Sequence, residues 1–432
     1  MGYIPQQALY NLKKYSYKGV DHSIVSRYIL NPFWNWFVTL WPLWVAPNVI
    51  TLTGLSLVFC NFATLLYYDP GYLTEKDGAG AITVGPPQWV YFTWAVGLFL
   101  YQTLDAIDGK QARRTGMAGP LGEMFDHGCD AMNTTLEVIL ASRALNLGRS
   151  WWTVASQIAT LANFYLTTWE EYHTGQLYLG VFSGPVEGIL MIVVIYMVSG
   201  VYGPAFWDTP ILSVLPGFIT RAPPIAPLLQ YVPKNLGLND AFMIFGGLAL
   251  AFNILTSYIN VYRSRAAIQG ARFRPLLFLL PFPTSVALNL LWLSTPSIHE
   301  SSIVYSSLFV PFLCAWGLQF ARQVGKMILA HVTSQPFPWW DWMWVWCAVG
   351  AADVNLPRIL GRPPIIQKDP KSLQCFVYAT VALSGLLYAR FCILVIREIT
   401  NFLGIACFTV RKRDEEGVWR RRGKSTGNEK RM

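Results

Sequence analysis

Long apolar runs, separated by short polar or charged segments, occupy most of the chain after residue 45. A helix that spans a bilayer needs about 20 consecutive, mostly apolar residues. The pattern therefore predicts an all-α polytopic integral membrane protein with about ten transmembrane helices. They are predicted at about 47–68, 88–108, 119–146, 151–172, 182–202, 240–262, 275–295, 302–323, 338–354 and 372–396.

The segment before the first predicted span is apolar but interrupted. Residues 28–45 are rich in Trp and Phe, and Pro32 and Pro42 break the run. Because this stretch is short for a span and strongly aromatic, we predict an N-terminal amphipathic helix that lies in the bilayer interface.

The composition supports the membrane assignment. Of 432 residues, 53% are hydrophobic and only 13% are charged, against about 25% charged residues in an average soluble protein. The net charge of +9 is concentrated in loops and in the C-terminal tail. That distribution follows the positive-inside rule, so we interpret the charge as a topology signal and predict no nucleic-acid partner. Placing the basic loop 110–118 in the cytosol places both termini there as well.

The seven cysteines show no CxxC spacing, and nearly all lie in apolar runs. Cysteine in such a setting behaves as a small hydrophobic side chain. We therefore predict neither a disulfide framework nor a zinc site.

One acidic cluster interrupts the apolar pattern where the second predicted span leads into the third. Asp105 and Asp108 are three residues apart, and Asp126 and Asp130 are four apart. A carboxylate beside membrane hydrocarbon costs about 2.5–3.5 kcal/mol, and such residues usually mark a functional site. On helices, both spacings place the two carboxylates on one face. If the two helices pack antiparallel, the four carboxylates can converge.

Four converging carboxylates repel one another unless cations neutralise them. Mg²⁺ and Mn²⁺ are hard ions that prefer oxygen ligands. A site with two such ions is suited to phosphoryl chemistry. Three small residues between the acids, Gly109, Ala112 and Gly122, leave room for a bulky ligand or a second backbone. Arg113 offers a planar donor for a phosphate.

The cluster matches a known signature at every fixed position. Asp105-x-x-Asp108-Gly109-x-x-Ala112-Arg113, followed after eight residues by Gly122-x-x-x-Asp126-x-x-x-Asp130, resembles the CDP-alcohol phosphotransferases. The flanking residues resemble the eukaryotic choline/ethanolaminephosphotransferase branch, most closely from about residue 46 to residue 187. The resemblance implies that Asp105, Asp108, Asp126 and Asp130 bind two Mg²⁺ or Mn²⁺ ions. It also implies a nucleotide site formed by Asn48, Gly109, Ala112, Arg113 and Gly122.

The resemblance further implies an activity and a location. The expected reaction transfers phosphocholine or phosphoethanolamine from CDP-choline or CDP-ethanolamine to diacylglycerol and releases CMP. The expected location is the endoplasmic reticulum membrane, or else the Golgi, with the active site facing the cytosol and a homodimer as a candidate assembly. We divide the chain into an N-terminal tail and interfacial helix (1–46), catalytic helices (47–202), further spans (203–400) and a basic, disordered tail (401–432).

The sequence leaves two candidates for the general base. Glu123 lies four residues before His127, so on a helix the two share a face and Glu123 could orient the imidazole. Such a pair suits removal of a proton from a hydroxyl. Asp130 is the other candidate base, and the Glu–His pair then remains an interfacial contact. Asn48 has two interpretations of equal standing, a helix N-cap or a polar contact to the nucleotide.

Two other functions are weaker interpretations of the same acids. Membrane prenyltransferases bind pyrophosphates through metals, but they usually carry two Asp-rich motifs far apart in the sequence. Ion-coupled transporters often show inverted repeats and broken mid-membrane helices. The chain shows a single acidic window and no internal repeat.

Overall fold

The computed structural model describes residues 2–74, 85–180, 184–220, 226–266, 274–295, 301–414 and 418–421. Within these ranges the chain is almost entirely α-helical. Its α-helices are α1 Gln6–Asn11, α2 Asn31–Phe37, α3 Pro47–Tyr68, α4 Gln88–Thr115, α5 Pro120–Ala144, α6 Trp151–Thr174, α7 Ile189–Tyr202, α8 Ile211–Val214, α9 Gly217–Thr220, α10 Ala226–Leu229, α11 Leu238–Ala266, α12 Arg274–Leu277, α13 Pro281–Leu293, α14 Phe309–Val332, α15 Met343–Leu360 and α16 Pro370–Leu403. The strands are β1 Gly19–Asp21, β2 Leu177–Leu179, β3 Arg411–Arg413 and β4 Trp419–Arg421.

Four helical stretches of the described chain are long and apolar enough to cross a membrane: Pro47–Tyr68, Leu238–Ser264, Pro275–Leu293 and Pro370–Leu403. Large apolar side chains on these stretches, such as Phe252 and Leu386, point away from the protein and are 72% and 69% exposed. In water such surfaces would be unfavourable, whereas lipid accommodates them. The prediction of an all-α integral membrane protein is thereby confirmed.

The second predicted span differs from the structure at its end. We predicted a short basic loop after Asp108, but α4 continues to Thr115. That prediction was wrong because the segment contains no proline and consists mainly of good helix formers, so nothing interrupts the backbone hydrogen bonds. The helix ends at Gly116, whose left-handed backbone (φ 64°) provides the usual C-terminal stop.

Two further spans are displaced or interrupted. The span predicted at 302–323 is α14, which starts at Phe309 and ends at Val332. Its C-terminal half extends farther because Val324, Ile328 and Val332 are buried. The span predicted at 275–295 is divided between α12 and α13, with Pro281 at the start of the second piece. Proline is favoured at the first turn of a helix and disfavoured in its interior.

A short connection brings α5 back against α4. Gly119 precedes α5, and Pro120 occupies its first position, where the missing N–H costs nothing. The connection of residues 116–119 keeps the start of α5 close to the end of α4, and α3 packs against both helices. Glycines allow the neighbouring helices to approach closely. A Cβ added to Gly97 would overlap Asn61 of α3, and one added to Gly317 of α14 would overlap Thr135 of α5.

Buried ion pairs fix two other parts of the bundle. Asp69, just after α3, pairs with Arg143 of α5 at 2.5 Å, and both side chains are less than one tenth exposed. Asp341 accepts from Arg322 at 2.7 Å and from Lys326 at 2.8 Å. Since each buried acid has a basic partner, these acids serve the structure, and their positions are separate from the acidic signature.

The N-terminal segment lies across one end of the bundle. The amides of Tyr3 and Ile4 donate to the carboxylate of Glu398 on α16 at 2.5 and 2.7 Å. The side-chain amide of Asn11 donates to the carbonyl of Thr333, after α14, at 2.8 Å. Strand β1 pairs in parallel with β2, which follows α6. These contacts place residues 3–21 over the ends of three helices.

The next part of the N-terminal segment packs along α4. Leu30, Trp34 and Val38 form its buried face, together with Leu104 and Ile107 of α4. The ammonium group of Lys110 donates to the side chains of Asn31 and Asn35, at 3.1 and 2.8 Å. The basic end of α4 therefore anchors the aromatic segment as well as contributing charge.

The C-terminal tail is partly structured. We predicted disorder throughout residues 401–432, but β3 and β4 pair antiparallel there. That prediction was wrong for these strands, because the Arg413 guanidinium packs over the Trp419 ring at 4.8 Å and gives the hairpin a side-chain contact. Residues 415–417 and 422–432 lie outside the described residues.

All seven cysteines lie within the described ranges, and all are free. Cys129 and Cys347 are buried, while Cys60 and Cys375 are exposed on α3 and α16, which are both apolar spans. The absence of disulfides among them agrees with the interpretation of these residues as small hydrophobic side chains.

Candidate active site

Three carboxylates of the signature converge between α4 and α5. One oxygen atom each from Asp105, Asp126 and Asp130 lies within 4.8 Å of the other two. The Oδ1 atoms of Asp105 and Asp126 are buried and have no hydrogen-bond partner among the described residues. A buried carboxylate oxygen without a donor is costly, and a bound cation removes that cost. The donor set and its unsatisfied oxygens therefore fit a divalent metal ion.

Two hydroxyl groups orient the neighbouring carboxylates. The Thr51 hydroxyl of α3 donates to Asp108, which is buried on α4. The Tyr101 hydroxyl donates to Oδ1 of Asp130. Partners of this kind hold metal ligands in one orientation and tune their basicity. The structure thus brings three of the four predicted acids into a tight group, with Asp108 held beside them by Thr51.

Open space adjoins the acids. A Cβ built on Gly122 would meet no atom within 4 Å, and one built on Gly109 would meet only the Arg113 guanidinium, at 3.8 Å. Ala112, on the same helix, is buried. Arg113 is exposed, and its guanidinium forms no hydrogen bond or ion pair with any described residue. The glycines therefore border a space that the protein leaves unfilled, with an uncommitted guanidinium beside it.

Asn48 contacts the C-terminal part of the chain. Its side-chain amide donates to the carbonyl of Cys407 at 3.1 Å. The residue that caps α3 is Ala46, and no side chain makes a capping hydrogen bond there. The N-cap interpretation of Asn48 was therefore wrong, because Pro47 already starts the helix. Its contact to a nucleotide stays a prediction.

The side chains of Glu123 and His127 lie on one helix but form no hydrogen bond with each other among the contacts of the described chain. Instead, Glu123 accepts from the Tyr15 hydroxyl of the N-terminal segment, and its other oxygen, Oε1, is buried without a partner. Burial, followed by the charge of Glu123, raises the pKa of Tyr15. The phenol therefore stays protonated and donates to Glu123. His127 is half-buried on the same end of α5.

Three residues around the site have no role in the sequence analysis. Tyr101 lies four residues before Asp105, so the helical period could have identified it as a neighbour of the acids. The other two are Tyr15 and His331. Tyr15 meets Glu123 across 108 positions of the chain. His331 is farther still from the signature in sequence, and no local pattern marks either residue.

Comparison with known proteins assigns this site to a family. A family model described as CDP-alcohol phosphatidyltransferase matches residues 44–215. Cholinephosphotransferase 1 of Saccharomyces cerevisiae is 35% identical over 435 residues, which cover 95% of this chain and 98% of the relative. The chain belongs to the CDP-alcohol phosphatidyltransferase family.

Two further members of the CDP-alcohol phosphatidyltransferase family extend the comparison. Choline/ethanolaminephosphotransferase 1 of Saccharomyces cerevisiae is 38% identical over 351 residues, 78% of this chain and 81% of the relative. Choline/ethanolaminephosphotransferase 2 of Arabidopsis thaliana is 35% identical over 421 residues, 96% of this chain and all of the relative. The resemblance found in the signature is confirmed. The matched region contains every predicted site residue, whereas Tyr15 and His331 lie outside it.

Proposed function

We propose that this protein transfers phosphocholine or phosphoethanolamine from a CDP-alcohol to diacylglycerol, forming phosphatidylcholine or phosphatidylethanolamine and CMP. The observation that carries the proposal is the group of Asp105, Asp126 and Asp130, with buried unpartnered oxygens beside open space. The printed names of the yeast and Arabidopsis relatives support the choice of alcohol and the class of transfer.

The metal requirement is part of the proposal. Asp105, Asp126 and Asp130, with Asp108 beside them, would hold two Mg²⁺ or Mn²⁺ ions. When bound, such ions neutralise a pyrophosphate and stabilise the leaving oxygen of a phosphoryl transfer. The Thr51 and Tyr101 hydroxyls keep two of the carboxylates in position. Arg113 donates to a phosphate oxygen of the CDP-alcohol, as a planar guanidinium does well.

The chain must also move one proton. The hydroxyl of diacylglycerol loses its proton to a base, and its oxygen attacks the phosphorus that carries the alcohol. The phosphoanhydride bond breaks, and CMP leaves with the electron pair. We assign the base to His127, because Asp130 is already committed to the carboxylate group and to Tyr101. A neutral imidazole suits this role near physiological pH.

The membrane arrangement completes the proposal. The long helices from α3 to α16, with α12 and α13 as one span, form ten crossings. Residues 28–45 lie in the interface, because Ile29, Trp36 and Trp44 are exposed while the opposite face packs on α4. Diacylglycerol enters from the bilayer, and the nucleotide enters from the cytosol at the basic end of α4. The endoplasmic reticulum is the expected membrane.

A purified-component assay tests the function. The protein in detergent is supplied with diacylglycerol and with radiolabelled CDP-choline or CDP-ethanolamine, and both CMP and labelled lipid are measured. We expect equal amounts of CMP and phospholipid from at least one CDP-alcohol. CMP without phospholipid would indicate hydrolysis, and the absence of both products would contradict the proposal.

A glycine substitution tests where the nucleotide binds. We expect Gly122→Leu and Gly109→Leu to weaken CDP-alcohol binding, because the added side chain fills the open space. Overpacking costs about 1–3 kcal/mol, or roughly 5- to 150-fold in affinity. Folding is preserved, since Leu forms helices better than Gly by about 0.5–1 kcal/mol. Calorimetric titration measures the affinity.

Gly247→Leu is the matched control for this substitution. Gly247 is exposed on α11, and its added Cβ would likewise meet no atom within 4 Å. Its substitution should leave the affinity unchanged. Unchanged affinity in the Gly109 and Gly122 variants as well would show that the nucleotide binds elsewhere.

A further inference from the structure

A second group of buried ionisable side chains lies beside the N-terminal segment. Glu123 belongs to the first turn of α5, Glu171 to the end of α6, and His331 to the end of α14. One ligand atom from each lies within 4.8 Å of the other two. None of these atoms belongs to the group of Asp105, Asp126 and Asp130.

The two carboxylates of this group have no counter-charge. Glu171 is 3% exposed and Glu123 is 8% exposed. No lysine or arginine of the described ranges forms an ion pair with either one. Oε1 of Glu123 is buried and has no hydrogen-bond partner, although Tyr15 donates to Oε2. Two buried carboxylates in this condition are unfavourable, because each loses its hydration and each repels the other.

The third member is an imidazole with uncommitted nitrogens. The His331 imidazole makes no hydrogen bond with a described residue, and it meets the Tyr15 ring edge-on with the ring centroids 5.9 Å apart. An imidazole nitrogen and two carboxylates form a ligand set suited to Mn²⁺ or Zn²⁺. Ligand atoms on one such ion, at about 2.0–2.2 Å from it, lie up to about 4.4 Å apart. Small side-chain movements therefore suffice to close the site.

We propose that Glu123, Glu171 and His331 bind one divalent transition-metal ion in a site separate from the active-site acids. The ion would supply the counter-charge that the two carboxylates lack. It would also join the ends of α5, α6 and α14, while Tyr15 holds the N-terminal segment against it. This site does not depend on the reaction that the active-site acids perform.

Metal counting tests the site. In the full-length protein, Asp105→Asn together with Asp126→Asn removes two members of the active-site group. This double variant is stripped of metal with a chelator and reloaded with Mn²⁺. We expect mass spectrometry to find about one Mn²⁺ ion bound per protein chain. Adding Glu171→Gln or His331→Gln to the double variant should abolish the binding of that ion. Glu170→Gln is the matched control, because Glu170 accepts from Asn260 at 2.8 Å and takes no part in the group.

A spectroscopic measurement avoids further substitution. Pulsed electron paramagnetic resonance on Mn²⁺ bound to the Asp105→Asn, Asp126→Asn double variant should show coupling to an imidazole nitrogen, which His331 supplies. The proposal would be overturned if the double variant bound no Mn²⁺. It would also be overturned if the Mn²⁺ ion remained bound after Glu171→Gln and His331→Gln were both added. Bound Mn²⁺ without nitrogen coupling would also overturn it. So would weaker binding of choline in Glu171→Gln at an unchanged metal count, since the group would then hold an organic cation.

Discussion

Each of the variants Asp105→Ala, Asp108→Ala and Asp126→Ala is expected to abolish phosphoalcohol transfer, and chelation with EDTA is expected to do the same to the unaltered protein. The reason is that the carboxylates have no counter-charge of their own, so the site needs cations to accept a pyrophosphate. Charge stabilisation of several kcal/mol by metal corresponds to about 10³-fold or more in rate. CMP release is measured before and after Mg²⁺ or Mn²⁺ is restored.

Stability provides an independent measurement for the same variants. Removing Asp105 or Asp126 relieves repulsion among buried carboxylates whose Oδ1 atoms have no donor. In EDTA, these variants should therefore melt at or above the temperature of the unaltered protein. Asp369→Ala is the control outside the site. Asp369 caps α16 through the amides of Lys371 and Ser372, so its loss should cost about 0.5–2 kcal/mol of stability and leave turnover unchanged.

Full activity in excess chelator would contradict the metal requirement. Loss of activity accompanied by unfolding in EDTA would show that the acids serve folding, and it would remove the support for a catalytic role. The thermal measurement therefore distinguishes a failed site from a failed fold.

The acidic hairpin could be predicted because its information is local. Carboxylates at intervals of three and four share a helix face, and only four residues separate α4 from α5, so the two acidic segments stay close in space. The same local argument finds Tyr101 one turn before Asp105. It failed at the end of α4, where basic residues suggested a loop although their helix propensity favours the helix that the structure shows.

The contacts that the sequence could not predict join distant parts of the chain. Tyr15 reaches Glu123, and Thr51 reaches Asp108, across 108 and 57 positions. Periodicity tells which side of a helix is buried, but it does not tell which segment covers that side. For the same reason, His331 carries no signal in the sequence, although it lies with two acids in the folded chain.

His127→Ala is expected to lower turnover by roughly 10²–10⁴-fold, the usual contribution of a general base, with CDP-alcohol affinity and metal content little changed. On a helix, His127 points about 100° away from Asp126. The imidazole is therefore poorly placed to bind the same ion, but it can face a hydroxyl that arrives from the lipid side. Steady-state turnover, calorimetric affinity and metal content are measured on the same preparation.

The controls separate a base from a structural histidine. His22→Ala removes an imidazole that contacts Tyr178 of β2, and it should leave turnover unchanged. Glu123→Gln should reduce turnover less than His127→Ala, because Glu123 is held by Tyr15 and makes no hydrogen bond to the imidazole. If His127→Ala loses metal or nucleotide, His127 serves the structure. If the variant keeps near-normal turnover, the proton goes instead to Asp130, the other candidate base.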